Sequence, residues 1–98
     1  MSDPVGLENN DVPVRRTEVE WVELDGEAVL YDPEEQILHR LNEGAAAVWM
    51  ACDGTSAVEQ IVAFVQGSYP DHAREIERDV RLAIEEFAVL GLLRRADG

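Results

Sequence analysis

A chain of 98 residues is the size of one domain, and its 46% hydrophobic content suffices for one modest core. The formal net charge is −13, from 21 acidic residues against 8 basic ones. All the basic residues are Arg, and this balance argues against nucleic acid or an anionic membrane surface, both of which are held mainly by basic side chains.

Acidity of this degree also keeps a small domain in solution. Cys52 is the single cysteine, which rules out an intramolecular disulfide. No basic-then-apolar segment opens the chain, and no apolar run approaches the roughly 18 residues of a spanning helix. A cytoplasmic protein is the expectation. The charge is uneven: residues 1–35 carry −9 and residues 36–98 carry −4.

Residues 1–17 contain Pro4, Gly6, Asn9, Asn10 and Pro13 without apolar periodicity, which predicts a flexible N-terminal tail. The folded domain is expected over 18–95. Val19-Glu20-Trp21-Val22-Glu23-Leu24 is rich in strand formers and partly alternating. Asp25-Gly26 follows, a dipeptide suited to the positive φ of a tight hairpin. Ala28-Val29-Leu30-Tyr31 is the return strand, Pro33-Glu34-Glu35 a second turn, and Ile37-Leu38-His39-Arg40-Leu41 a third strand.

The rest reads as helical. Asn42 is a suitable N-cap for a first helix with Ala45, Val48, Trp49 and Cys52 at helical spacing, ended by Asp53-Gly54. Ser56-Ala57-Val58-Glu59 predicts a capping box for a second helix, whose buried stripe is Val58, Ile61, Val62 and Val65. Asp71 is the expected cap of a long third helix, and Gly91 its C-terminal stop, with Leu92-Leu93 folding back on the core. The fold class is therefore α+β, a three-stranded antiparallel meander followed by three helices.

On the third helix, Ile76, Val80, Ala83, Ile84 and Phe87 cluster on the core side. Arg74, Arg78, Arg81 and Glu85 lie opposite, a solvated face with Glu77–Arg81 and Glu75–Arg78 spacings suited to ion pairs. Leu82 sits off both, on a flank shared with Asp79 and Glu86. It is either an ordinary exposed leucine or the wall of a groove.

Little in the chain points to catalysis, metal or a cofactor. His39 and His72 lack a His or Cys partner at metal-ligand spacing. Cys52 ends an apolar helix, the setting of a small buried hydrophobe. Gly44, Gly54 and Gly67 are isolated and form no phosphate loop.

Several segments taken together resemble the PqqD-like family, the leader-peptide recognition domains of ribosomally made, post-translationally modified peptide pathways. They are Leu24–Asp32, Leu38-His39-Arg40-Leu41-Asn42, Ala45–Trp49, Asp53-Gly54-Thr55, Val58–Ile61, Asp79-Val80 and Leu90-Gly91-Leu92-Leu93. The resemblance spans about residues 18–95 and implies a small winged helix-turn-helix-like fold. It implies a leader peptide added as a strand to the edge formed by Gln36, Ile37, Leu38, His39 and Arg40. The facing helix wall is Asp79, Leu82, Ala83 and Glu86. Arg40 then meets an acidic leader residue, although Arg40 and His39 are as well read as simply exposed to solvent; Asp79 and Glu86 meet a basic residue, and Trp49 is core. Because the chain carries the recognition domain by itself, the implied partner is a separate enzyme: a radical-SAM enzyme, a cyclase or a leader protease. Two other readings stay open, a winged-helix DNA-binding regulator using Arg74, Arg78 and Arg81, and a protein–protein adaptor without peptide cargo.

Overall fold

The computed structural model describes residues 7–96. In chain order these form β1 (Pro13–Arg15), β2 (Glu20–Leu24), β3 (Glu27–Asp32), β4 (Ile37–Leu41), α1 (Glu43–Ala51), α2 (Val58–Ser68), a 3-10 turn over Pro70–His72, α3 (Ala73–Val89) and β5 (Leu93–Arg95). The expected meander is present as an antiparallel sheet in the order β2-β3-β4.

Two turns set its register. Asp25 and Gly26 both have positive φ, 54° and 85°, and Leu24 pairs with Glu27 across them, a two-residue hairpin whose twist matches the strands. The β3–β4 turn is built around Asp32, which is buried. Its carboxylate accepts the N–H of Glu34 at 3.0 Å, and its carbonyl accepts the N–H of Gln36 at 2.7 Å. Gln36 has φ 58°, so it belongs to this turn rather than to the strand edge expected for it.

Asn42 caps α1 as its sequence predicts, accepting the Ala45 N–H at 2.9 Å. The start of α2 differs from expectation. Ala57, not Ser56, is the N-cap, and a methyl group accepts nothing. Gln60 Oε1 instead accepts the Ala57 N–H at 2.8 Å, while the carbonyls of Asp11 and Asn9 accept the N–H groups of Val58 and Glu59. A remote backbone thus satisfies the free donors that a local cap normally serves.

Asp71 also moves from its expected role: it lies in the 3-10 turn, and α3 begins at Ala73 with no side-chain cap. The other end of α3 is a Schellman motif. Gly91 (φ 77°) donates to Ala88 O, and Leu92 donates to Phe87 O at 2.9 Å, which turns Leu92 and Leu93 into the core.

The segment before β2 corrects the predicted tail. Residues 1–6 lie outside the described residues, but Pro13–Arg15 pair antiparallel with Leu93–Arg95 in a second, two-stranded sheet. β1 also bonds to the loop after α1, Arg15 N–H to Cys52 O and Gly54 N–H to Pro13 O. The Arg15 guanidinium donates to the last carbonyls of α1, those of Trp49 and Met50, at 3.1 and 2.9 Å. It lies 5.1 Å from the ring centre of Trp21. A cation at a helix C-terminus and over an aromatic face is favourable on both counts.

The core lies between the meander and the helices. Ala28 and Leu30 of β3 meet α1, and α1 and α2 pack against α3. Trp49 is fully buried at its centre, edge-on to Trp21 at 6.4 Å and to Phe87 at 5.4 Å. Aromatic pairs in this geometry add about 0.5–1.5 kcal/mol to their burial. On α3, Val80, Ile84, Phe87 and Ala88 are buried and Ile76 and Ala83 partly so, as the helical wheel predicts apart from Ala88. No helix among the described residues is long and apolar enough to cross a membrane.

Candidate functional site

β4 ends at Leu41 and α1 begins at Glu43, so a single residue, Asn42, turns the chain from sheet to helix. β4 is the last strand of its sheet, and one of its backbone edges is unpaired. Immediately beyond it, the first turn of α1 and one flank of α3 enclose a groove of about 720 Å³. Asn42, Gly44 and Ala45 form one wall, and Asp79, Leu82, Ala83, Glu85, Glu86 and Val89 form the other. The two α1 residues that line it, Gly44 and Ala45, have little or no side chain and so leave this room.

All four helix residues expected at the site, Asp79, Leu82, Ala83 and Glu86, line this one groove. Leu82 is 55% exposed and lies in the lining of this groove, off the core face. The strand residues are placed differently. Ile37, Leu38, His39 and Arg40 lie on β4 and contribute nothing to the groove's lining.

Strand alternation divides them further. His39 pairs with the buried Leu30 and is half-buried, so it shares the helix-covered face with Ile37 and Leu41. Leu38 and Arg40 point to the open face. There Leu38 joins Val22, Val29 and Tyr31 around a shallow depression, and Arg40 reaches Glu27 at 4.0 Å.

The sequence reading missed Asn42, Gly44, Ala45, Glu85 and Val89 as lining residues. Val89 lies seven residues beyond Leu82, and seven residues make nearly two helical turns, so its place on the same flank was readable from spacing. The α1 wall was not readable, because nothing in a Gly-Ala pair says what it faces.

The other candidate groups resolve plainly. Cys52 is buried, and burial pushes its thiol up to about 12, which leaves it protonated and unreactive. His72 is exposed, with Nδ1 3.0 Å from a Glu75 carboxylate oxygen. Among the described residues no group of three or more His, Cys, Asp or Glu is arranged to hold a metal. Of the Arg face, Arg81 pairs with Glu77 at 3.2 Å as expected, but Arg78 turns to Asp79 at 3.8 Å rather than to Glu75.

A small α+β domain with a free strand edge running into a helix-walled groove is the class that these features define. Comparison with known proteins is specific. The family model for Coenzyme PQQ synthesis protein D (PqqD) matches residues 27–93. A protein of Stutzerimonas stutzeri (strain A1501) named PqqA binding protein is 40% identical over 72 residues, 69% of this chain and 75% of that one. The chain belongs to the PqqD family.

Two solved structures share the fold. TbiB1, solved in complex with the TbiA(beta) leader peptide, superposes with a TM-score of 0.72 at 22% identity, covering 82% of this chain and 93% of its own. The solution structure of the PqqD truncation of Methylobacterium extorquens PqqCD gives a TM-score of 0.70 at 27% identity, covering 94% of this chain and 98% of its own. That truncation is described as a functional, stand-alone recognition element for ribosomally synthesised, post-translationally modified peptides.

Proposed function

We propose that this chain binds the leader segment of a ribosomally made precursor peptide and presents it to a separate modifying or processing enzyme. The leader adds as a strand along the free edge of β4, and its alternate side chains enter the groove. Backbone hydrogen bonds to the edge give affinity, and the groove gives selectivity. The observation that carries this reading is the junction at Asn42, where an unpaired strand edge meets a groove walled by an exposed Leu82. Membership of a family with a PqqA-binding member, and likeness to a recognition element, support the same reading.

The role assigned is binding alone, and the chemistry belongs to the enzyme partner, whether a radical-SAM enzyme, a cyclase or a leader protease. Ile37 and His39, on the helix-covered face of β4, stand nearest in orientation to a docked peptide. Leu38 and Arg40 face the other way and remain open to the enzyme. DNA binding is disfavoured physically: two of the three Arg on α3 have acidic neighbours, and the chain carries −13 overall.

The test is titration of a fluorescent leader peptide encoded in an adjacent short reading frame. Saturable binding in the micromolar range or tighter is expected. Leu82→Glu, which removes the apolar anchor and adds a fourth carboxylate, is expected to weaken it at least about tenfold, equivalent to about 1.4 kcal/mol. Leu38→Arg, on the open face, is expected to weaken it much less. Absence of saturable binding to any such peptide sinks the proposal.

A further inference from the structure

The charged residues lining the groove are Asp79, Glu85 and Glu86, and none is cationic. Asp79 has Arg78 at 3.8 Å. Among the described residues no ion pair involves Glu85 or Glu86. Asp79, Leu82, Glu86 and Val89 follow one another at spacings of three, four and three residues, so acidic and apolar side chains alternate along one flank of α3.

The α1 wall does not reverse this polarity. Asn42 accepts the Ala45 N–H, and the Glu43 carboxylate in the first turn offsets part of the positive end of the helix, so the three carboxylates of α3 dominate the groove. Leu82 and Glu86 are separated by about 6 Å along the helix axis. That approximates the ~6.7 Å between side chains on one face of a strand.

Resting on the peptide-binding reading above, we propose that the groove selects a cationic, apolar class of leader. Such a segment carries an aliphatic side chain against Leu82, Ala83 and Ala45. A Lys or Arg two residues away on the same face meets Glu86, or Asp79 in the opposite direction. An aliphatic residue two positions from an acidic one is rejected, because its carboxylate enters a site with three others.

The experiment uses the full chain, 15N-labelled, and three short capped synthetic peptides that share a central Leu. They differ only in carrying Lys, Gln or Glu two positions to either side of it. Amide shifts of Leu82 and Val89 report the groove directly. At roughly 50 mM salt the Lys peptide is expected to bind about fivefold tighter than the Gln peptide, and the Glu peptide weakest. The spread is expected to shrink at roughly 500 mM salt. In the doubly neutralised variant Asp79→Asn, Glu86→Gln, the Lys and Glu peptides are expected to converge.

Equal affinity for the three peptides, or a Lys preference that survives the double variant, overturns the charge selection and leaves peptide binding intact. Failure of all three to shift the groove amides while a leader peptide still saturates the chain overturns the charge selection alone; failure of the leader as well overturns both.

Discussion

Asp53 and Thr55 show how a single side-chain pair tunes this fold. The Thr55 hydroxyl donates to the Asp53 carboxylate at 2.6 Å and the Thr55 N–H at 3.0 Å, and these bonds, the hydroxyl foremost, hold the carboxyl below its ordinary 3.8. A folded-state pKa below the unfolded one contributes stability that is full above the unfolded value and lost as pH falls through the folded one. The pair is exposed, so solvent screening limits the effect to a few tenths of a kcal/mol. Thr55→Val is expected to raise the Asp53 carboxyl toward its ordinary value in an NMR titration. Its stability deficit at pH 7 is expected to vanish under strongly acid conditions, where the carboxyl is protonated in both proteins. Arg15 acts at the same scale with longer reach, since one guanidinium closes the end of α1 and stacks near Trp21. Trp49 contrasts with it: its ring is the centre of the core, yet its indole N–H has no acceptor among the described residues.

At the scale of the element, the β2–β3 hairpin depends on backbone that few side chains tolerate. Gly26 has φ 85°, and a Cβ there would come within 2.8 Å of a Glu43 carboxylate oxygen. Glu43 can swing aside, but the left-handed backbone cannot be relieved. Gly26→Ala is therefore expected to cost about 1–2 kcal/mol in chemical denaturation. Asp25→Asn, which keeps a residue tolerant of positive φ, is expected to be nearly neutral. The same local chemistry made most elements legible: Asp25-Gly26 marks the hairpin, Asn42 the start of α1 and Gly91 the end of α3. It failed at α2 because Ser56 and Glu59 have the side chains of a capping box one residue too early. The donors there find the carbonyls of Asn9 and Asp11, and a backbone carbonyl leaves no trace in residue identity.

For the molecule as a whole, residues 9–16 are a structural part and not an appendage. Residues 9–16 cap α2, pair with β5, bond to the α1–α2 loop and close α1 through Arg15. Arg16 extends the ties by donating to Gly91 O at 2.9 Å and pairing with Glu34 at 3.3 Å. A chain truncated to begin at Thr17 is expected to lose about 3–5 kcal/mol, from several net hydrogen bonds at about 1 kcal/mol each. Small domains have only about 5–15 kcal/mol in all. Loss of cooperative unfolding, or a sharply lower midpoint by circular dichroism, is the expected result; an unchanged midpoint means that the segment is dispensable.

The candidate site divides along the same line. The flank of Asp79, Leu82 and Glu86 is a property of one helix, so 3.6-residue periodicity set it apart from the core face, but it took the family resemblance to read it, with Ala83, as the wall of a groove. The opposite wall at Gly44 and Ala45, and the turn of Leu38 and Arg40 away from it, depend on how β4, α1 and α3 are set against one another. The sequence by itself determined the α+β class, the order of the meander and helices, and the off-core flank of α3 that carries Leu82, because turns, caps and periodicity are encoded over a few adjacent residues. Only the tertiary structure decided that residues 13–15 pair with 93–95 and that the groove closes on the first turn of α1. Those contacts join segments some 35 to 80 positions apart, through backbone groups and small side chains that carry no local signal.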